Sequence, residues 1–159
     1  MRSILLHHII YPHGITDFIH AYQENRFQNL IQTYTSCFFI GYPLQKYAPW
    51  LFQTLFFIAS IAHFRHDFGK QNKNWFYSTS NMMIFSQLPP DCFLLYMSFI
   101  HIPQHYHRHW PMISNAPLLS CLSINTMGLL ANNIPFLSKN KILSCIILGH
   151  IFYEEQYLY

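Results

Sequence analysis

The sequence predicts an all-α chain, a polytopic membrane helical bundle of about five to seven helices. Three observations lead there. Only 9% of the 159 residues are charged, against roughly 25% in an ordinary soluble domain. Aromatic residues reach 18%, with 15 Phe and 11 Tyr. Proline, glycine and asparagine then cut the chain into apolar stretches of helical length. The mean hydropathy of +0.13 is modest for such a bundle. His, Asn, Gln and Tyr lower it, and packed helices can bury those side chains against one another. The length suits one domain, so residues 1–159 read as a single membrane helical domain. No internal repeat or low-complexity linker interrupts it.

The elements follow in order. Pro12-His13-Gly14 opens the first helix, which runs to about Tyr22. The second covers Phe27 to Gly41 and is expected to stop before Tyr42-Pro43. The third starts after Pro49 and reaches His66. A polar loop spans Gly69 to Asn74. The fourth helix runs from Trp75 to Gln87 and ends at Pro89-Pro90. Pro90 and Asp91 open the fifth, because proline near the first helical position followed by an acid is a start signal. It runs to about His109, with Pro103 expected to kink it near His101. The sixth covers Ala116 to Ala131, and the seventh begins near Ser138. Several are shorter than the roughly 20 residues a bilayer requires, so about five crossings are expected. The resulting expectation is an integral, multi-pass membrane protein.

Composition excludes other classes. A formal charge of +3, carried by scattered single cations, makes no nucleic-acid patch. Cys37, Cys92, Cys121 and Cys145 lie far apart in apolar stretches and read as small buried hydrophobes rather than a disulfide framework. Ile4-Leu5-Leu6 runs directly into His7-His8, so no cleavable signal peptide is expected.

The chemistry lies in the eleven histidines. Ionisable groups inside an apolar bundle are costly and point to function. His101 and His105 are four apart, so a helix projects both from one face. His13 and His63 each have an aspartate four residues on, Asp17 and Asp67. A carboxylate one turn away can accept the second ring N–H and so fix the tautomer of a ligand. The candidate metal ligands are therefore His13, His63, His101 and His105, with Asp17 and Asp67 as their supports. His66 is an alternative ligand one turn from His63. His150 reads as a hydrogen-bonded core residue or a further site member. His107 and His109 read as interfacial, while His7 and His8 read as exposed. Four neutral imidazoles with open positions suit Fe(II) and dioxygen, whereas a closed structural zinc site usually takes thiolates.

These residues resemble the Brp/Blh family of membrane β-carotene oxygenases. The family's Pro-His-Gly-x-x-Asp box is matched by Pro12-His13-Gly14-Ile15-Thr16-Asp17. Its His-Phe box is matched by His63-Phe64. Its later His-x-x-x-His box is matched by His101-Ile102-Pro103-Gln104-His105, followed by Arg108. Arg65 stands where the family has glycine, and the boxes are closer together in this shorter chain. The resemblance implies an all-helical membrane fold with one non-haem Fe(2+) held by four histidines. It also implies central cleavage of β-carotene with O₂ into two retinal molecules. The implied partners are a lipid-soluble polyene, O₂ and membrane lipid. An elongated apolar cavity should then end at the metal, lined by rings such as Phe56, Phe57, Phe64, Tyr96 and Tyr106. Two other readings remain open. One is a non-catalytic small membrane packing protein. The other is a membrane di-iron fatty-acid desaturase or hydroxylase, which needs adjacent histidine pairs late in the chain.

Overall fold

The structure, a computed structural model, describes residues 14–68, 74–88, 90–107 and 140–158. Among them α1 spans Ile15–Gln23, α2 Phe27–Tyr47 and α3 Pro49–Phe64, which tightens into a 3₁₀ turn at Arg65–Phe68. Helix α4 spans Asn74–Gln87 and α5 Pro90–Tyr96. The α5 segment continues through a π turn at Met97–His101 into helical residues 102–107, and α6 spans Asn140–Tyr157. The expected helix from Ala116 to Ala131 and loop residues 69–73 lie outside the described residues.

The all-α class stands, but the membrane bundle does not. Among the described residues, no helix is long and apolar enough to cross a membrane. Length and apolarity fall on different helices. Helix α3 is the apolar one, yet its 16 residues rise about 24 Å at 1.5 Å per residue, short of a roughly 30 Å hydrocarbon core. Helix α2 has 21 residues but includes Gln28, Asn29, Gln32, Gln45 and Lys46. Helix α6 has 18 but includes Lys141, His150, Glu154 and Glu155. The expected polytopic bundle and integral, multi-pass localisation are corrected accordingly.

Local chemistry sets the turns. Helix α1 ends in a Schellman motif. The Arg26 N–H donates to the Ala21 carbonyl at 2.7 Å, the Asn25 N–H donates to the Tyr22 carbonyl at 3.4 Å, and Asn25 sits at φ 54°. Asparagine tolerates that left-handed position better than most residues. Helix α2 passes through Pro43 instead of stopping before it. Proline removes one backbone donor there, and Gln45 anchors the last turn by donating to the Lys141 carbonyl at 2.8 Å. Only Ala48 separates α2 from α3, and Pro49 takes the first turn of α3 with its φ already set. Pro103 does perturb its helix near His101, in the form of the π turn. The ring of a helical proline crowds the carbonyl four residues back, and a wider turn relieves that crowding.

Helix α6 packs against α1, α2 and α3. Two glycines permit the close α2–α6 crossing. A Cβ on Gly41 would lie 3.1 Å from Cys145 Sγ, and one on Gly149 would lie 3.0 Å from the Tyr34 ring. The apolar core forms three groups. Phe64, Tyr96, Met97 and Ile102 join α3 to the α5 segment. Ala21, Leu30 and Tyr153 join α1, α2 and α6. Phe52, Cys145 and Leu148 join α3 to α6. With so few charged residues to coat the surface, large apolar side chains such as Phe39, Tyr47, Trp50, Phe76 and Phe99 remain exposed.

Candidate metal centre

The last turn of α3 turns His63 inward, at 2% exposure. The 3₁₀ turn then buries Asp67 while sending Arg65 and His66 outward to α6, where both meet Glu155 at 2.8 Å. The π turn delivers His101, and the following helical turn delivers His105. Helix α6 contributes His150 and Glu154, four apart and therefore on one face. Helix α1 contributes Asp17. The four histidines and Glu154 are all at or below 5% exposure, and Asp17 is fully buried.

The rings converge. His63 lies 5.0 Å from His101, 6.4 Å from His105 and 5.3 Å from His150, centroid to centroid. His105 lies 5.7 Å from His101 and 5.6 Å from His150. Three carboxylates hold them. His101 Nδ1 donates to Asp67 Oδ2 at 2.9 Å, and the Tyr96 hydroxyl donates to the same oxygen at 2.7 Å. His150 Nδ1 donates to Asp17 Oδ2 at 3.0 Å, and the Tyr34 hydroxyl donates to that oxygen at 2.6 Å. His105 Nε2 donates to Glu154 Oε1 at 2.5 Å. The other oxygen, Oε2, lies 3.8 Å from His63 Nδ1 and 3.9 Å from His150 Nε2.

One subset has the spacing of a ligand set. His63, His150 and Glu154 each offer an atom within 4.8 Å of the others, all three buried. Two imidazoles and a carboxylate with positions left open is the donor set of non-haem Fe(II) oxygenases. The donor chemistry therefore fits such an ion. His101 and His105 stand beside this triad as further imidazoles.

Of the ligands expected from sequence, His63, His101 and His105 come together, while His13 lies outside the described residues. Gly14 directly follows it, and a Cβ there would lie 3.7 Å from His150 Nδ1. The aspartates do contact cluster rings, and the partners among the described residues come from other segments. Asp67 accepts from His101, and Asp17 accepts from His150. His66 faces Glu155 and stays out of the cluster. Arg65 is held by Glu155 and stacks 4.6 Å over Trp75. Glu154 was missed. Its signal was present as His150-x-x-x-Glu154, the same spacing that singled out His13–Asp17 and His63–Asp67.

Among the described residues, the rings expected to line a substrate channel pack as follows. Phe64 and Tyr96 are buried packing residues, Tyr106 packs against them, and Phe56 packs beside Phe52 and Leu148. Two surface clefts lie at the α1–α2 turn, beside Tyr22 and Asn25, and along α2, beside Ile31 and Thr35. No cluster residue lines either.

The electrostatics favour a proton where a metal would bind. Burial pushes His150 down, but the carboxylates of Glu154 and Asp17 more than offset it and raise its pKa to about 9. Burial and Asp17 hold the neighbouring Tyr34 phenol well above its ordinary value. A histidine raised from 6.5 to about 9 stabilises the fold fully below pH 6.5, and that contribution is lost as pH rises through 9. The metal-free protein should therefore show a falling urea midpoint across this window, with the fall reduced in Asp17→Asn. A midpoint that rises with pH would contradict the assignment. No protein-family model, curated protein or solved structure matches the chain, so the resemblance stands on the histidine boxes themselves.

Proposed function

We propose that the chain holds one Fe(II) in the buried histidine–carboxylate cluster and uses it with O₂ to oxidise an apolar substrate. The substrate that the box resemblance implies is a lipid-soluble polyene such as β-carotene, cleaved to retinal. The observation that supports this reading best is the convergence of His63, His150 and Glu154, a two-histidine, one-carboxylate donor set in a buried site.

His63, His150 and Glu154 would hold the ion, with His101 and His105 adjoining. Bound there, Fe(II) supplies the one-electron chemistry that lets O₂ react with a closed-shell alkene. The chain's own residues do the rest. Glu154 offsets part of the ion's charge in a medium where unbalanced charge is costly. Asp17 and Asp67 hold two rings by Nδ1, turning each Nε2 away from its carboxylate. Phe64, 4.7 Å from His101 and edge-on to it, helps keep water from that side.

Expression in bacteria that make β-carotene tests the proposal. The orange colour should bleach and retinal should accumulate, and His101→Ala should remove both effects. Retained colour with iron-loaded protein would reject polyene cleavage. Colour retained because the protein takes no iron would reject the metal reading itself.

A further inference from the structure

The two aspartates beside the cluster are built alike. In each, Oδ2 accepts one bond from a histidine Nδ1 and one from a tyrosine hydroxyl, and in Asp67 the same Nδ1 also reaches Oδ1 at 3.1 Å. Tyr34, Asp17 and His150 form one chain, with lengths of 2.6 and 3.0 Å. Tyr96, Asp67 and His101 form the other, with lengths of 2.7 and 2.9 Å. No local motif produces this likeness. Tyr34 follows Asp17 by 17 residues, and Tyr96 follows Asp67 by 29. One chain joins three segments, α1, α2 and α6, and the other joins two, the 3₁₀ turn and the α5 segment.

The geometry points to Tyr34 and Tyr96 as positioning residues for the metal centre, each locking a carboxylate that orients one histidine. This inference rests on the metal reading above. A buried carboxylate with one partner can rotate about its terminal torsion, which is broad and only weakly restrained. A second donor on the same oxygen removes that freedom. The histidine then presents Nε2 in a fixed direction, and for His150 that atom is the one facing Glu154. Each tyrosine is itself held. Tyr34 lies against the bare Cα of Gly149, where a Cβ would come within 3.0 Å of its ring. Tyr96 is 5% exposed and packs 5.7 Å from Phe64 and 4.9 Å from Phe85.

Partners that orient a ligand typically change metal affinity 10–100-fold when lost. The test compares Tyr34→Phe and Tyr96→Phe with Tyr153→Phe. Tyr153 is fully buried, but its hydroxyl meets His20 at 3.1 Å, outside these chains. Fe(II) affinity is measured by competition with a chromogenic chelator. The two test variants should bind about tenfold more weakly than wild type, and Tyr153→Phe should match wild type. Proton NMR of the metal-free proteins supplies a second readout. Slowly exchanging ring N–H signals of His150 and His101 should broaden in Tyr34→Phe and Tyr96→Phe respectively. If wild type binds iron and both test variants bind within twofold of it, the inference is overturned. If wild type binds no iron, the metal reading fails separately, and the ring N–H signals alone decide. Signals that survive both substitutions would overturn the positioning role.

Discussion

Replacing Glu154 with alanine is expected to abolish metal binding and to lower the stability of the metal-free protein by about 3–5 kcal/mol. Glu154 has no exposed surface and faces three histidines, with one oxygen on His105 and the other between His63 and His150. Removing it leaves His150, raised to about 9 by Glu154 and Asp17 together, with one carboxylate instead of two. It also leaves the His105 Nε2 donor without its carboxylate, and burying such a group unbonded costs about 1–3 kcal/mol. Glu154→Gln separates the two effects. The amide keeps the volume and can still accept from His105, so the stability loss should be smaller. The amide carries no charge, so iron should still be lost. Denaturant unfolding and metal content measured on both variants check this. Iron retained by Glu154→Gln would remove the carboxylate from the ligand set.

Gly149→Ala is the second large effect, with an expected net loss of up to about 2 kcal/mol. Helix propensity alone favours the change by up to about 1 kcal/mol. Steric conflict opposes it, because the new Cβ would lie 3.0 Å from the Tyr34 ring and 3.2 Å from Tyr34 Cα. A ring can swing aside, but a backbone atom in the middle of α2 moves only with its helix. Overpacking of that kind costs about 1–3 kcal/mol, and contact with backbone puts it toward the upper part of that range, above the propensity gain. The displacement should also pull Tyr34 from Asp17 and weaken metal binding. Thermal unfolding and the chelator competition check both parts. An unchanged or higher melting temperature would show that α2 and α6 can separate freely.

Much of the helical framework was legible because single residues determine where a helix starts and stops. Pro49 and Pro90 both lie at helix starts, as read, and Gly14 directly precedes α1. Pro43 misled because a proline inside a helix is tolerated when tertiary contacts, here Gln45 onto α6, hold the turn. The membrane reading failed for a different reason. Low overall charge says nothing of whether length and apolarity fall on the same helix. Helix α3 is apolar but has 16 residues, whereas the longer α2 and α6 carry Gln, Asn, Lys and Glu, and among the described residues none can cross a membrane. The His101–His105 pair was readable from spacing, since both members lie in one segment. His150 looked like a lone core histidine because its significance depends on α6 docking across α3. The pairing of each aspartate with a distant helix had no local signature either.

Iron content of purified protein after anaerobic reconstitution with Fe(II) is the most direct measurement of the metal centre. The cluster predicts close to one iron per chain in the wild type. Folded His63→Gln and Glu154→Gln variants should fall to background, and folded His66→Gln should stay at the wild-type level. Wild-type protein that is folded but takes up no iron, or variants at His63 and Glu154 that keep a full complement, would contradict it.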